Sequence, residues 1–516
     1  MLKKLGTSAV GIAAAVTVLA SGPALAQKSK DTLRAVSEQP ISLLDRIYNP
    51  QPATTLMTSV VFDGLLQYDP IARKIVPNLA KSWTRIDEYT VELDLRDDVT
   101  FHNGDKFTAD DVVATIGHMI DPTTQFRFKA NRYGWIKAVE KVSDYKVRVI
   151  AKKPFSPALI KLGNDTLMHP KGPFLANPKE FGKNPIGTGP YRVEQVDSTD
   201  GVIMKKFDDF KLQASYRPEA KIGTVEIKPV TDRQTQFARL MVGEQDLMSS
   251  VPADEADALA QNPNLKVTVM DTVSFSYMQF DSADRGKIGY LKDPKVRLAL
   301  SMAVNREAIK KALTPAAAHN IPLPGGMCHK WINACDYSTK LPAYNPEKAK
   351  QLLAEAGYPD GFPLELTSWG AVGKIAEAVV GDLRKVGVKA SLDHVTYGVY
   401  SKKRSAGKLQ TLISYWDNAG GQPDIDNTMG FFYLPGVRDY MQDKRLHEMT
   451  GLTRAEFDPE KRQALVREAM DRVTENNYLM PLISVPAVVV HSKDVVLHNN
   501  HKSPEGYLYN YMEWAK

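Results

Sequence analysis

The sequence predicts an α/β protein built on a mixed, largely parallel sheet, and two observations carry that expectation. Between 363 and 416, strand-like and helix-like patterns alternate as β-α-β-α-β, a succession that favours parallel strands joined by right-handed crossovers. Elsewhere, strand signals at 89–95, 145–151, 274–280 and 486–490 are interleaved with capped helices rather than gathered into runs of one kind. The 516 residues are 43% hydrophobic and 24% charged, an ordinary globular balance that argues against disorder.

Residues 1–26, MLKKLGTSAVGIAAAVTVLASGPALA, begin with Lys3 and Lys4, continue through an apolar stretch at 9–20 and end on Ala24-Leu25-Ala26. This is the pattern of a secretory signal peptide cut before Gln27, and its apolar run falls short of the ~20 residues a membrane-spanning helix needs. No cysteine stands near that site, so the mature protein is expected to be periplasmic, soluble and without a lipid anchor. Thr108 with Asp111 resembles a capping box ahead of Val112, Val113, Ile116, Met119 and Ile120. Asp293-Pro294 and Asn345-Pro346 each place a capping side chain before a proline at the first helical position. Gly357 is a C-terminal stop. In the β-α-β-α-β stretch, strands at 363–368, 388–393 and 409–415 enclose helices at 373–386 and 397–406. Ligands in such sheets bind beyond the carboxyl ends of the strands, and two strands here end in Trp369 and Trp416. Each tryptophan is therefore a candidate cleft wall, with an ordinary core role as the alternative.

Charge and motifs exclude several function classes. The net charge of +6 is spread thinly, with no basic run longer than the KKR at 402–404, so a nucleic-acid partner is not expected. Zinc-protease, nucleophile-elbow and phosphate-loop signatures are absent. Ser405 and Lys408 match SxxK without its companion signatures, which makes a secreted serine hydrolase the remote alternative. Asp424-Ile425-Asp426-Asn427 lacks the rest of a calcium loop and is expected to be a solvated loop or cap. Cys328 and Cys335, seven positions apart, suit a disulfide in an oxidising compartment; free thiols and a metal remain open, though no second spaced pair supports the metal. No cofactor is implied.

One stretch resembles a known family. VVFDGLLQYDPIARKIVPNLAKSWTRIDEYTVELDLRDDVTFHNGDKFTADDVVATIGHMIDP (60–122) is similar to the extracytoplasmic solute-binding proteins of family 5, the dipeptide, oligopeptide and nickel group serving ATP-binding cassette importers. Further blocks match in order: GTGPYRV (187–193), TDRQTQFARLMVGEQDLM (231–248), SYMQFDSA (276–283), DPKVRLALSMAVNREAI (293–309), YNPEKAKQLLAEAGYPDG (344–361) and YLMPL (478–482). The resemblance implies a two-lobed periplasmic-binding-protein fold of type II with an inserted domain and two hinge strands. On that basis lobe I is 27–70, 186–272 and 490–516, the inserted domain 71–185 and lobe II 273–489, with crossings near Thr272 and His491.

The implied function is non-enzymatic: a monomeric binding subunit that captures a short peptide and passes it to the permease subunits at the inner membrane. The alternative is a non-peptide solute such as an opine, an amino-acid derivative or another carboxylate-bearing compound. In peptide-binding relatives an acid after the strand-ending Trp receives the peptide amine; here that position holds Ala419 or Gly421, according to alignment, and Asp417 is the substitute. Arg404 stands where oligopeptide-binding relatives place a pocket arginine, and Tyr397 where they are aromatic. Phe128, Arg127 and Arg132 belong to an expected cleft loop at 126–135, and Glu38 and Gln39 come after the first strand. The expected ligand-facing set is therefore Trp416, Asp417, Arg404, Tyr397, Trp369, Glu38, Gln39, Arg132 and Phe128.

Overall fold

The computed structural model describes residues 30–69, 72–212, 218–417, 423–498 and 507–516; the expected signal segment lies outside them. Apolar side chains gather into two bodies. The first body draws on residues between Leu33 and Met270 and again from Val488 to Met512. The second draws on residues between Val273 and Ile483. Side chains from 79–155, in the stretch expected as an inserted domain, share one continuous core with those of 33–66 and 191–227.

The first body contains a sheet ordered Thr32–Ser37, Thr224–Pro229, Gly201–Lys206, Tyr191–Asp197, in which only the first pair is parallel. An antiparallel sheet runs Ala80–Arg85, Thr90–Leu95, Lys146–Ala151, Ile136–Ser143. The second body holds the β-α-β-α-β unit. Its sheet is ordered Lys389–Val395, Pro363–Trp369, Thr411–Trp416, Phe275–Phe280, Leu479–Ser484. The first three strands are parallel and the last two run antiparallel to their neighbours. Helices Gly373–Lys385 and Tyr397–Ser405 connect the parallel strands.

Local chemistry explains the helix boundaries. Asp293 accepts from the Lys295 amide at 2.8 Å, and Asn345 from that of Lys348 at 2.9 Å, so both prolines occupy positions with no amide bond to lose. Asp111 reaches back to the Thr108 amide at 2.8 Å at the start of helix Ala109–Ile120. The glycines of GTGPYRV answer to close approach: a Cβ on Gly187 would stand 1.9 Å from the Val61 carbonyl oxygen, and one on Gly189 2.4 Å from that of Val60.

The chain crosses between bodies twice, side by side. Strand Leu265–Met270 pairs with Ala487–Ser492 in the first body, and Phe275–Phe280 pairs with Leu479–Ser484 in the second. Between them the Thr272 hydroxyl donates to the Val485 carbonyl at 2.8 Å, and the Val485 amide donates to the Ser274 carbonyl at 2.9 Å. His491 is paired with Leu247 and Lys266 in the first body.

Candidate functional site: an arginine and aromatic cluster at the seam

Helix Tyr397–Ser405 places Tyr397, Tyr400 and Arg404 at positions i, i+3 and i+7, which share one face. That face meets the carboxyl end of the parallel sheet. The Trp369 indole lies 4.8 Å from the Tyr397 ring, 6.4 Å from Tyr400 and 5.3 Å from Tyr415, and its Nε1 donates to Ser414 Oγ at 3.1 Å. Tyr397 is 46% exposed while Arg404 is only 7% exposed, so the aromatic rim is wet and the guanidinium forms a floor.

Arg404 is the unusual member. Its Nη2 donates to Gln279 Oε1 at 3.3 Å, and the Tyr277 and Tyr400 phenols lie beside it. Its Nε and the Gln279 Nε2 are buried with no hydrogen-bond partner among the described residues. None of the described carboxylates comes within ion-pair distance of it. A buried charge without a counter-ion costs several kcal/mol unless something else supplies the opposite charge.

Two further arginines stand around this floor. Arg404 and Arg438 lie 5.0 and 4.4 Å from the centre of the Phe431 ring. Arg438 keeps much of its surface in solvent, and partial desolvation, with the Arg404 and Arg127 charges adding to it, holds it below the usual arginine range. Arg127 comes from the first body, reaches across the seam and donates to the Tyr397 hydroxyl at 3.2 Å. Its guanidinium lies 4.9 Å from the Phe128 ring centre and 5.8 Å from that of Tyr397.

The structure thus brings together Arg404, Tyr397, Trp369 and, through Arg127, Phe128. Trp416 reaches the cluster from behind: it is 5% exposed, packed 4.7 Å from Phe431 and 5.0 Å from Phe432, and its Nε1 donates to Thr428 Oγ1 at 3.0 Å. Arg132 is buried in the first body, donates to the Arg46 carbonyl at 3.1 Å and faces the Phe128 ring at 5.0 Å. Glu38 is exposed and ion-paired to Arg233, and Gln39 is exposed beside it. Asp417 is half-buried. Ala419 and Gly421 lie outside the described residues. Sequence reasoning missed Arg438, Phe431, Tyr400 and Gln279; for Tyr400 the helical spacing from Tyr397 to Arg404 was an available signal.

Of the solvated loop or cap expected at Asp424 and Asp426, the cap holds for Asp424 and the solvated setting does not, since both acids are buried. Asp424 is 1% exposed, accepts from the Asp426 amide as the cap of helix Ile425–Phe432, and binds Arg462 through both oxygens at 2.6 and 3.0 Å. Burial pushes its pKa up, but the Arg462 guanidinium outweighs that and holds the carboxyl below its ordinary value. Asp426 is salt-bridged to Arg454 and lies 4.0 Å from Lys161 of the first body. Ser405 and Lys408 are both exposed. Cys328 and Cys335 are disulfide-bonded, with Cα atoms 5.9 Å apart. No group of His, Cys, Asp and Glu that could hold a metal occurs among the described residues. A separate hollow of about 350 Å³, lined by Pro77, Asn78, Lys81, Arg96, Asp97 and Asp98, is open to solvent and carries both signs of charge.

Comparison with known proteins decides the family. The model for bacterial extracellular solute-binding proteins, family 5 Middle, matches residues 74–438. The chain belongs to that family. As a family-5 protein it is the substrate-binding subunit of an ATP-binding cassette importer and a transport receptor rather than an enzyme. The glutathione-binding protein GsiB of Salmonella typhimurium is 28% identical over 512 residues, covering 95% of this chain and 94% of that one. The periplasmic binding protein DppA of Helicobacter pylori, solved with the peptide STSA, superposes with a TM-score of 0.76 at 22% identity over 95% of this chain and 100% of that one. AgaA of A. tumefaciens R10, solved with agropinic acid, gives 0.73 at 24% identity over 94% and 99%. The last two likenesses establish the shared α/β fold of this family-5 protein.

Proposed function

We propose that this family-5 protein works in the periplasm, where its two bodies act as lobes that close over a compact organic solute and hold it by a carboxylate. The observation that carries this reading is Arg404: a buried guanidinium with an unpaired Nε, ringed by aromatics, and no described carboxylate in ion-pair reach. A ligand carboxylate supplies the missing charge and hydrogen bonds, and guanidinium geometry suits it in a two-pronged manner. The aromatic rim of Trp369 and Tyr397 offers apolar walls to the rest of the solute.

A free short peptide also carries a carboxylate, but it brings an ammonium group that needs an acid. Asp424 and Asp426 are already engaged by Arg462 and Arg454. This supports a carboxylate-bearing solute without a free amine, such as an amino-acid derivative, ahead of the ordinary peptide expected from the family at large. The agropinic acid held by AgaA is by its name an acid, which is consistent with a carboxylate-first mode.

Mass spectrometry of solutes released from protein purified without denaturation tests the reading directly. The expected ligand carries a carboxylate, and Arg404→Gln weakens its calorimetric affinity by about a hundredfold, the scale of truncating one side of a buried charged pair. A released ligand without an acidic group, or unchanged affinity in the folded variant, would end this reading.

A further inference from the structure

One guanidinium accounts for one carboxylate, yet the seam holds three. Arg404 and Arg438 come from the second body and share the Phe431 ring. Arg127 comes from the first body and is held there by the Tyr397 hydroxyl and the Phe128 face. No described carboxylate lies within ion-pair distance of any of the three. The acid next to Arg438 in sequence is engaged elsewhere: one Asp439 oxygen accepts from the Met441 and Gln442 amides and the other meets His447 at 2.7 Å. Arg438 makes no hydrogen bond to any described residue and rests on the Phe431 ring.

Three like charges gathered at one seam repel one another; water screens the exposed Arg127 and Arg438, but a single ligand carboxylate on Arg404 leaves both without an anionic partner. We infer that the solute carries at least two anionic groups, one seated on the Arg404 floor and a second held between Arg438 and Arg127 across the seam. This rests on the reading that Arg404 receives a carboxylate, and it narrows the substrate class to dianionic organic solutes. It also assigns Arg438 and Arg127 as specificity-determining residues. Because Arg127 belongs to the other body, the second anion is fully bound only when the bodies meet, so the charge count of the solute is read by closure itself.

The test uses an amine-free pair that differs by one group, N-acetylglutamate with two carboxylates and N-acetylglutamine with one. The mature protein, stripped of bound solute by unfolding and refolding, is titrated with each at equal ionic strength in a calorimeter. The dianion is expected to bind at least tenfold more tightly. Arg438→Gln and Arg127→Gln, both at exposed positions where folding is readily confirmed by circular dichroism, should each bring the ratio to within threefold of one. Equal affinities in the wild type, or a ratio that survives both substitutions, would overturn the second anionic group while leaving the carboxylate at Arg404 standing. Absence of binding by both compounds would count against the two readings together.

Discussion

Trp416 ends the strand Thr411–Trp416 at the position where the carboxyl edge of a parallel sheet would aim it at a ligand. The indole instead turns under Phe431 and Phe432 and ties its nitrogen to Thr428, in the same apolar cluster as Tyr277 and Met429. Its neighbour in role, Trp369, ends the parallel strand Pro363–Trp369 and stays half-buried against Tyr397. The difference arises from the next stretch of chain in each case: helix Ile425–Phe432 folds back over Trp416, while Trp369 lies against Tyr397 and Tyr400 at the edge of a smaller apolar cluster with Leu409 and Leu412. Trp416→Ala should therefore destabilise the second body by about 3–5 kcal/mol, as for other buried tryptophans, and weaken ligand binding only through loss of fold. Denaturant titration monitored by fluorescence of the remaining tryptophans measures this. A normal midpoint with lost affinity would instead make Trp416 a ligand contact.

At the scale of elements, the loop closed by Cys328 and Cys335 is built into the second body rather than hung upon it. The Asn333 amide donates to the Pro423 carbonyl at 2.7 Å, its side chain donates to Asp424 at 2.7 Å, and the Ile425 amide donates to the Asn333 carbonyl at 3.1 Å. The Tyr68 hydroxyl of the first body reaches the Trp331 carbonyl at 3.2 Å. A loop of this length contributes about 2.5 kcal/mol by restricting the unfolded chain. Reduction is expected to speed hydrogen exchange at 327–336 and at the Ile425 amide, with the strands of 80–151 unaffected. Unchanged protection in the reduced protein would show that the loop is held by its hydrogen bonds alone. The same segment bears on the candidate site, because Asp424 caps the helix that carries Phe431.

The whole molecule is held across its seam by contacts that need no ligand. The Ser156 amide donates to the Arg454 carbonyl at 2.7 Å and its hydroxyl to the Thr453 carbonyl at 3.1 Å. The Arg85 guanidinium lies 4.2 Å from the centre of the Phe457 ring. The most buried of these contacts is Lys161, 3% exposed, which sits 3.5 Å from Asp165 in its own body and 4.0 Å from Asp426 in the other. Under the proposed closure, a charge pair that crosses the seam is made only when the bodies meet, so it would weight the closed form. Lys161→Met should open the ligand-free protein, measured as a larger radius of gyration in solution scattering. A loss of about 1.4 kcal/mol of closed-state stability would weaken solute binding roughly tenfold. An unchanged radius and affinity would show that closure rests on the other contacts.

Much of this was legible from residue order because it depends on local chemistry or short-range pattern. The capping prolines after Asp293 and Asn345, the alternation through 363–416 and the ordered family blocks all act within a few turns of chain. The α/β architecture and the transport role are reached from them. The spacing of Tyr397 and Arg404 on one helical face was likewise readable. Only the tertiary structure decided which side chains share the seam. Arg438, thirty-four residues beyond Arg404, meets it at the Phe431 ring, and Arg127 arrives from the other body. It also decided that Asp424 and Asp426 are buried salt-bridge partners and not solvated acids, since Arg462 and Arg454 come from later in the chain and no local pattern announces them. Charge pairing across long sequence separations is set by packing, and that is why composition alone showed a near-neutral protein while its candidate site holds three cations without a described counter-ion.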